Sequence, residues 1–203
     1  SGLELRCLAH LMDSKDYTNE VVNGDVHTAN MKMAGLTNRD QAKTFIYAFC
    51  YGAGPSKLGK IVGGDREHGQ ELMDRFLSNM PDLKRVRNKV EKAAKRGKIK
   101  GIDGRHLHIR HAHAALNTLI QGAGASICKD WLINMTTRVK QSGLDVKLVA
   151  SIHDEYQFEV DKRDVREFGK ITKEAIQYTE KKLNLNCPLD STWKEGTTWA
   201  DTH

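Results

Sequence analysis

The sequence has 203 residues, of which 39% are hydrophobic, and its formal net charge is +6. This length allows one substantial domain or two small ones, and the apolar fraction suffices for a packed core, which excludes a disordered tail. No stretch approaches the run of about 18 apolar residues that a membrane span requires, and the four cysteines form no Cys-x-x-Cys pair. We therefore expect a reduced, cytoplasmic protein that is neither secreted nor membrane-bound and has no zinc site.

The first half of the chain is predicted to be helical. Apolar residues recur near one face from Leu3 to Met12, and the turn after Asn23 leads into a short helix that Asp25 or Thr28 would cap. Further helices are predicted from a Thr37 or Asn38 cap to the Gly52 and Gly54 stop, over SKLGKIVGG, from Glu67 to Leu77, and from Pro81 to about Lys95.

The second half combines hairpins with helices. The Asp-Gly pair in IDGR is typical of a tight hairpin turn, and the segment from His113 to about Gln141 predicts a long helix. VKLVASI and YQFEV predict strands, Val165–Lys182 predicts an amphipathic helix, and the tail from Cys187 is expected to be irregular. Helices beside a small antiparallel sheet are typical of the α+β class, which is the predicted fold class.

One predicted helix carries a stripe of cationic and aromatic residues. Arg39, Lys43, Tyr47 and Tyr51 recur every four residues, so each is displaced by only about 40° from the last at 3.6 residues per turn. A guanidinium, an ammonium and a phenol in this order could hold a triphosphate and stack on the attached base. The spacing alone favours the alternative, an ordinary amphipathic helix with two solvated cations.

The long helix carries three polar residues at the same spacing, His113, Asn117 and Gln121. Amides that donate and accept hydrogen bonds could meet the acceptors that every base pair presents in the minor groove, and so sense a duplex without reading its sequence. The alternative is that these amides bond to the neighbouring backbone, which is the more common arrangement.

The carboxylates of Asp154 and Glu155 are predicted to lie at the tip of the second hairpin. Such a pair is a suitable platform for a hard cation such as Mg²⁺, which takes one or two protein carboxylates together with phosphate oxygens and water. Turns are rich in Asp for other reasons, so the pair by itself favours the alternative, an ordinary polar turn.

Basic residues cluster between Asp82 and His113, where nearly half of the positions are Lys, Arg or His. Clustered cations gain binding free energy when they release the counterions condensed on a nucleic acid, which indicates a polyanionic partner. A solvated helix face is the alternative explanation of such a charge run.

Taken in order, three segments resemble the polymerase motifs of family A DNA polymerases, the DNA polymerase I-like enzymes. SGLELR resembles the end of motif A, usually Asp-x-Ser-x-x-Glu-Leu-Arg, RDQAKTFIYAFCYG resembles motif B, and HDE resembles motif C. The match spans essentially the whole chain. The segments most similar to replicative polymerases of short-tailed bacteriophages are DVHTAN, AKTFIY, YGAG, HAALNTLIQGAG and WADTH.

The resemblance implies the right-hand polymerase fold without its thumb. Residues 1–26 would begin the palm, residues 27–100 would form the helical fingers, and residues 101–203 would complete the palm and the tail. The implied activity is template-directed DNA synthesis by two-metal nucleotidyl transfer, with primer-template DNA and dNTPs as partners and two Mg²⁺ ions as cofactors. No processivity factor is specified by these motifs.

The resemblance also assigns roles in nucleotide binding. Arg39 and Lys43 would bind the phosphates of the incoming dNTP, with Lys43 stabilising the leaving pyrophosphate, and His27 would reach the phosphates from the other side. Tyr47 would lie against the sugar and base. Glu4 would lie under the sugar, where it would exclude a 2′-hydroxyl.

Other residues are expected to contact DNA or metal. Tyr51 and Gly52 would shape the pocket for the templating base, and His153 would touch the primer end. Asp154 would bind both metals, with Glu155 nearby as a further catalytic carboxylate. The residues expected to follow the minor groove of the primer-template are His113, Asn117 and Gln121.

The motif A aspartate would fall two residues before Ser1, outside these 203 residues. We therefore expect the chain alone to be inactive and to require an upstream part of the polymerase, with the thumb and that aspartate. Two alternatives stay open: a fragment of a single-subunit RNA polymerase, against which Glu4 argues, and one DNA-binding subunit of a split polymerase.

Overall fold

A computed structural model describes residues 2–202 and confirms the α+β class. The chain divides into two compact units, Gly2–Ala123 and residues 124–202 of the described part. Within residues 2–202, no helix is both long and apolar enough to cross a membrane.

The first unit begins with a series of helices. Their bounds are α1 Leu3–Met12, α2 Lys15–Asn23, α3 Val26–Ala34, α4 Arg39–Cys50, α5 Pro55–Ile61, α6 Arg66–Asn79 and α7 Pro81–Ala94. Side-chain caps fix where several of them start: Asp25 accepts hydrogen bonds from the first turn of α3, and Asn38 accepts from Asp40 N and Gln41 N of α4. These caps satisfy backbone donors that have no partner inside the helix.

An aromatic cluster forms the centre of this unit. The rings of Phe45 and Phe49 on α4 each meet Phe76 of α6 edge-on, with centroids 5.5 Å apart. Phe45 and Phe76 are fully buried, and the guanidinium of Arg87 on α7 lies 5.6 Å from the centroid of the Phe49 ring. Burial of these rings fixes which side of α4 faces inward.

Two glycines allow α5 and α6 to approach closely. A Cβ on Gly69 would lie 2.0 Å from the carbonyl oxygen of Pro55 and 2.6 Å from the backbone nitrogen of Gly59. The missing side chains let the two helices meet backbone to backbone.

The first unit ends with a small hairpin and the start of a long helix. Strands β1 Lys98–Lys100 and β2 His106–His108 pair antiparallel, and α8 follows over Ala115–Ser142. A Cβ on Gly122 would lie 2.5 Å from Leu107 Cδ1. Leu107 therefore packs directly on the backbone of α8.

The second unit contains a hairpin, β3 Val146–Ile152 and β4 Glu155–Val160, with α9 over Val165–Lys182 and α10 over Trp199–Thr202. The hairpin is tied to α8 by the Tyr156 hydroxyl, which donates to the carbonyl oxygen of Cys128 at 2.8 Å. The rings of Phe158 and Phe168 pack edge-on, with centroids 4.8 Å apart, and join the hairpin to α9. A bulge interrupts the pairing between Leu148 and Ala150.

Most predicted elements are confirmed, α1 and α9 with the predicted bounds. Helices α2 and α10 were not predicted, and the sheet consists of two separate hairpins. The long helix begins at Ala115, because residues 112–114 form a 3₁₀ turn ahead of it. The unit boundary after Ala123 reflects packing alone, so the assignment of 27–100 to fingers stays a prediction.

We expect Gly69→Ala to destabilise the protein. Alanine in a helix interior normally stabilises by about 0.5–1 kcal/mol relative to glycine. Here the new methyl group would displace the α5 backbone, so we expect a loss of about 1–3 kcal/mol in the free energy of unfolding, measured by urea denaturation. Ser78→Ala on the exposed side of α6 is the control and should change stability little. A Gly69→Ala variant as stable as the wild type would contradict this close approach.

Candidate functional site

The stripe predicted on α4 lies on the side opposite the aromatic cluster. Arg39 and Lys43 are exposed and Tyr47 is half-buried. Tyr51 follows as the C-terminal cap, with its ring centroid 6.4 Å from that of Tyr47. The helix therefore presents two cations followed by two phenols on one side, as the spacing predicted.

The guanidinium of Arg39 is held by Asp25. Its Nε donates to Oδ2 at 2.8 Å, and its Nη2 donates to Oδ1 at 3.0 Å. The same carboxylate accepts hydrogen bonds from the backbone of His27 and Thr28 at the start of α3. The Arg39 guanidinium, with help from Thr28, keeps the pKa of the Asp25 carboxyl well below its usual range.

His27 is brought to the same region. Its ring centroid lies 6.1 Å from that of Tyr47. Among residues 2–202, its Nδ1 atom is buried and has no hydrogen-bond partner. Burial lowers the pKa of His27 below 6.5, and the positive charges of Arg39 and Lys43 lower it further. Both effects favour the neutral imidazole over the charged form.

Glu4 connects three elements of the first unit. Its two carboxylate oxygens accept from the Tyr51 hydroxyl at 2.8 and 2.9 Å, and Oε1 also accepts from the side-chain amide of Gln121 on α8. Burial and the hydrogen bond to Glu4 raise the pKa of Tyr51 to about 12. Three predicted site residues, far apart in sequence, therefore form one hydrogen-bonded group.

Gly52, which follows Tyr51 in the chain, packs closely against the backbone of His113. It has a φ of +83°, and a Cβ there would lie 2.1 Å from the carbonyl oxygen of His113. Only glycine combines that conformation with such a close approach. The backbone at the end of the RDQAKTFIYAFCYG segment is thus packed against the turn that leads into α8.

The three polar residues of the predicted α8 stripe do not all lie on one helix. His113 belongs to the preceding 3₁₀ turn, where its ring stacks on His111 with centroids 5.5 Å apart. The prediction that His113 continues the helical spacing is therefore wrong, because its neighbours make the tighter i to i+3 bonds, as in Ala114 N to His111 O. Asn117 and Gln121 lie on α8, and Asn117 Oδ1 is buried without a hydrogen-bond partner in the described part of the chain.

The second unit carries the motif C residues at the tip of the β3–β4 hairpin. His153 and Asp154 form the two-residue turn, and Glu155 begins β4 opposite Ile152. Asp154 is exposed. Burial of the Cys128 thiol raises its pKa to about 11, and the negative charge of Asp154 contributes to this rise. Glu155 accepts a hydrogen bond from the side chain of Gln157. The tip is therefore His-Asp, and Glu155 is a strand residue.

Within residues 2–202, no group of three or more His, Cys, Asp or Glu side chains forms a ready metal site. Asp154 is the exposed carboxylate of the tip and makes no hydrogen bond or ion pair inside the described part of the chain. Oxygen from a carboxylate is the ligand type that Mg²⁺ prefers, and Mg²⁺ usually takes only one or two carboxylates from protein. The donor chemistry of Asp154 fits that metal.

Sequence reasoning predicted Asp25 as a helix cap but missed its pairing with Arg39. The signal was weak, because the two residues lie on separate helices. The basic segment is partly explained by pairs within it, Arg85 with Asp82 and Arg87 with Glu91. These pairs support the solvated-face alternative for that part of α7.

Comparison with known proteins gives a consistent result. A model of DNA polymerase family A matches residues 1–201. The DNA-directed DNA polymerases of Enterobacteria phage T3 and Escherichia phage T7 are each 41% identical over 228 aligned residues, covering all of this chain and 32% of the relative. DNA polymerase I of Geobacillus stearothermophilus is 26% identical, covering 99% of this chain and 25% of that protein. The predicted resemblance to phage polymerases is confirmed.

A solved structure shows the same fold. It is the POL domain of Pol1 from M. smegmatis in complex with DNA primer-template and dNTP, with a TM-score of 0.79 and 24% sequence identity. The match covers 88% of this chain and 35% of that chain. The chain therefore spans about a third of the length of the phage relatives and of this structural neighbour.

We expect Glu4→Gln to lower the pKa of Tyr51 from about 12, because it removes the negative charge that disfavours the phenolate. Burial remains, so the pKa should stay above 10.0. ¹³C NMR of the tyrosine Cζ atoms measures this directly. Tyr156, whose pKa is raised to about 12 by burial and Cys128, is the internal reference and should not move.

The same shift predicts a pH dependence of stability. Because the phenol of Tyr51 keeps its proton to higher pH in the folded chain, the free energy of unfolding should fall as pH rises from 10.0 to about 12. Equal pKa changes at Tyr51 and Tyr156 in the Glu4→Gln variant would argue against the Glu4 contact.

Proposed function

Because the chain belongs to DNA polymerase family A, we propose that it takes part in template-directed DNA synthesis. In this proposal it binds the incoming dNTP and the primer-template and carries one carboxylate of the metal site. It would act in DNA replication in the cytoplasm of the host cell. The observation that carries the proposal is the α4 stripe, which faces away from the aromatic cluster and lies beside His27 and Glu4 in one unit.

The cations of the stripe would hold the triphosphate. Arg39 offers a planar set of N–H donors and Lys43 a compact ammonium, which are the two side chains best suited to phosphate. Lys43 is exposed on the same side of α4, where it would stabilise or protonate the leaving pyrophosphate. His27, whose ring lies 6.1 Å from that of Tyr47, would donate a ring N–H to the phosphates from the other side.

The aromatic half of the stripe would hold the sugar and base. Tyr47 would lie against the nucleotide, and Tyr51 with Gly52 would shape the space for the templating base. Glu4 would be the sugar selector: its carboxylate is fixed by Tyr51 and Gln121, so it cannot turn aside to admit a 2′-hydroxyl. This argues for deoxynucleotides and against the RNA polymerase alternative.

We further propose that α8 and the hairpin tip contact DNA. Asn117 would meet a minor-groove acceptor through its side-chain N–H donor, and Gln121 would reach the groove from its exposed position. His113 would contact the same strand from the 3₁₀ turn, and His153 would touch the primer end.

Asp154 would be the metal ligand of this chain, with Mg²⁺ as the cation. When bound, the two metal ions of such a site lower the pKa of the primer 3′-hydroxyl and neutralise charge on the leaving group. The tip residue supplies an oxygen with no competing partner in the described chain. Glu155 would act nearby as a second carboxylate, held by Gln157.

Catalysis would require residues beyond these 203. Residues 27–100 would be the fingers, and residues 1–26 and 101–203 parts of the palm. The thumb and the motif A aspartate would come from an upstream part of the polymerase, either in the same polypeptide or, in a split polymerase, in a second one.

We expect the purified 203-residue chain to bind a primer-template without extending it, because without the motif A aspartate the metal pair lacks a bridging carboxylate beside Asp154. Fluorescence anisotropy of a labelled primer-template measures binding, and gel analysis of the primer measures extension. Template-directed incorporation above a no-enzyme control would show that the chain is catalytically complete.

In a polypeptide that joins these residues to a segment with the motif A aspartate, we expect Asp154→Asn to lower primer extension by on the order of a hundredfold to a thousandfold. Primer-template binding should be retained. Asp145→Asn is the matched control, since Asp145 is an exposed carboxylate near the other end of β3 and pairs only weakly with Lys147, at 3.7 Å. Equal activity of the two variants would remove Asp154 from the catalytic site.

A further inference from the structure

Arg39 is held from one side only. Asp25 takes the Nε and Nη2 donors, at 2.8 and 3.0 Å. A guanidinium has five N–H donors, so three remain: both on Nη1 and the second on Nη2. No other hydrogen bond to Arg39 occurs within residues 2–202. The unoccupied donors form the end of the guanidinium that points away from the carboxylate.

The carboxylate that holds Arg39 is itself fixed. Asp25 Oδ1 accepts from His27 N at 3.2 Å and from Thr28 N at 3.3 Å, and Oδ2 accepts from the Thr28 hydroxyl at 2.8 Å. These contacts anchor Asp25 to the first turn of α3. The Arg39 side chain on α4, which would otherwise be flexible, is thereby held in a fixed position relative to α3, the helix that carries His27.

We propose that Asp25 is a positioning residue for nucleotide binding: it orients the Arg39 guanidinium so that its free end meets the phosphates of the incoming dNTP. This role rests on the proposed function. Arginine loses rotamer freedom when it binds a ligand, and a side chain that is already oriented loses less. Asp25 would not need to leave, because the phosphate takes donors that the carboxylate does not use.

The competing effect has the opposite sign. Asp25 is a negative charge near a site for a polyanion, so by charge alone its removal should strengthen binding. The side chains of Arg39 and Asp25 are 49% and 47% exposed, so water screens this repulsion. Positioning predicts weaker binding when Asp25 is changed, and repulsion predicts tighter binding.

The test is the Kd of dNTP and of inorganic triphosphate for the 203-residue chain, measured by calorimetry. Asp25→Asn keeps a good helix cap but removes the paired acceptor oxygens. We expect its Kd to rise about three- to tenfold. Asp40→Asn is the control, because Asp40 lies beside Arg39 and acts on it electrostatically without a hydrogen bond to it. Its Kd should be unchanged or lower.

A second variant separates positioning from a general loss of structure. Arg39→Lys keeps the charge but has no planar fork, so Asp25→Asn in that background should leave the Kd unchanged or lower it. Equal or tighter binding by Asp25→Asn alone, or the same weakening in both backgrounds, overturns the proposal. Failure of the wild-type chain to bind either triphosphate overturns the nucleotide site itself, and the role of Asp25 with it.

Discussion

The burial of one side of α4 determines what the other side can do. Phe45 and Phe49 pack against Phe76 at the centre of the first unit. Once these rings are removed from water, α4 cannot rotate about its axis without exposing them, at a cost of about 1.5–3 kcal/mol for each large apolar side chain. Arg39, Lys43 and Tyr47 are therefore held on the outer side by contacts that they do not make themselves.

The same constraint places the charged residues of the site at one end of α4 and its aromatic residues at the other. Near the start of α4 the cations Arg39 and Lys43 are exposed, and near its end Tyr47 is half-buried while Tyr51 is exposed. The Tyr51 hydroxyl joins that end to α1 by donating to the carboxylate of Glu4. A ligand with a charged part and a planar part would thus meet two cations and then two aromatic rings, in the order in which the helix presents them.

Local signals in the sequence were sufficient for most of the helices. Asn38 was predictable as a cap because its side chain acts on the next few residues, and α1 was predictable from its apolar period. Helix α2 was missed because KDYTNEVVN is short and mostly polar, with Tyr17 as its buried residue. The 3₁₀ turn before α8 was missed because the change from i+4 to i+3 bonding leaves no mark on composition.

The site was predictable only in part, for a related reason. The stripe on α4 follows from spacing along one helix. The contact of Glu4 with Tyr51 spans 47 positions, and the pairing of Arg39 with Asp25 spans 14. Such contacts depend on how helices pack, which spacing does not determine. The roles of the site residues were inferred from the resemblance to a family, whereas the pairing of Arg39 with Asp25 was seen only in the structure.

His153 has a φ of +54°, the left-handed conformation that glycine adopts freely and other residues adopt at a cost of about 1–2 kcal/mol. A designer who sought only a more stable hairpin would place glycine or asparagine there. The imidazole next to Asp154 therefore makes the hairpin less stable than it could be. A variant designed for higher thermal stability would gain a less strained backbone at this turn only by giving up the imidazole side chain.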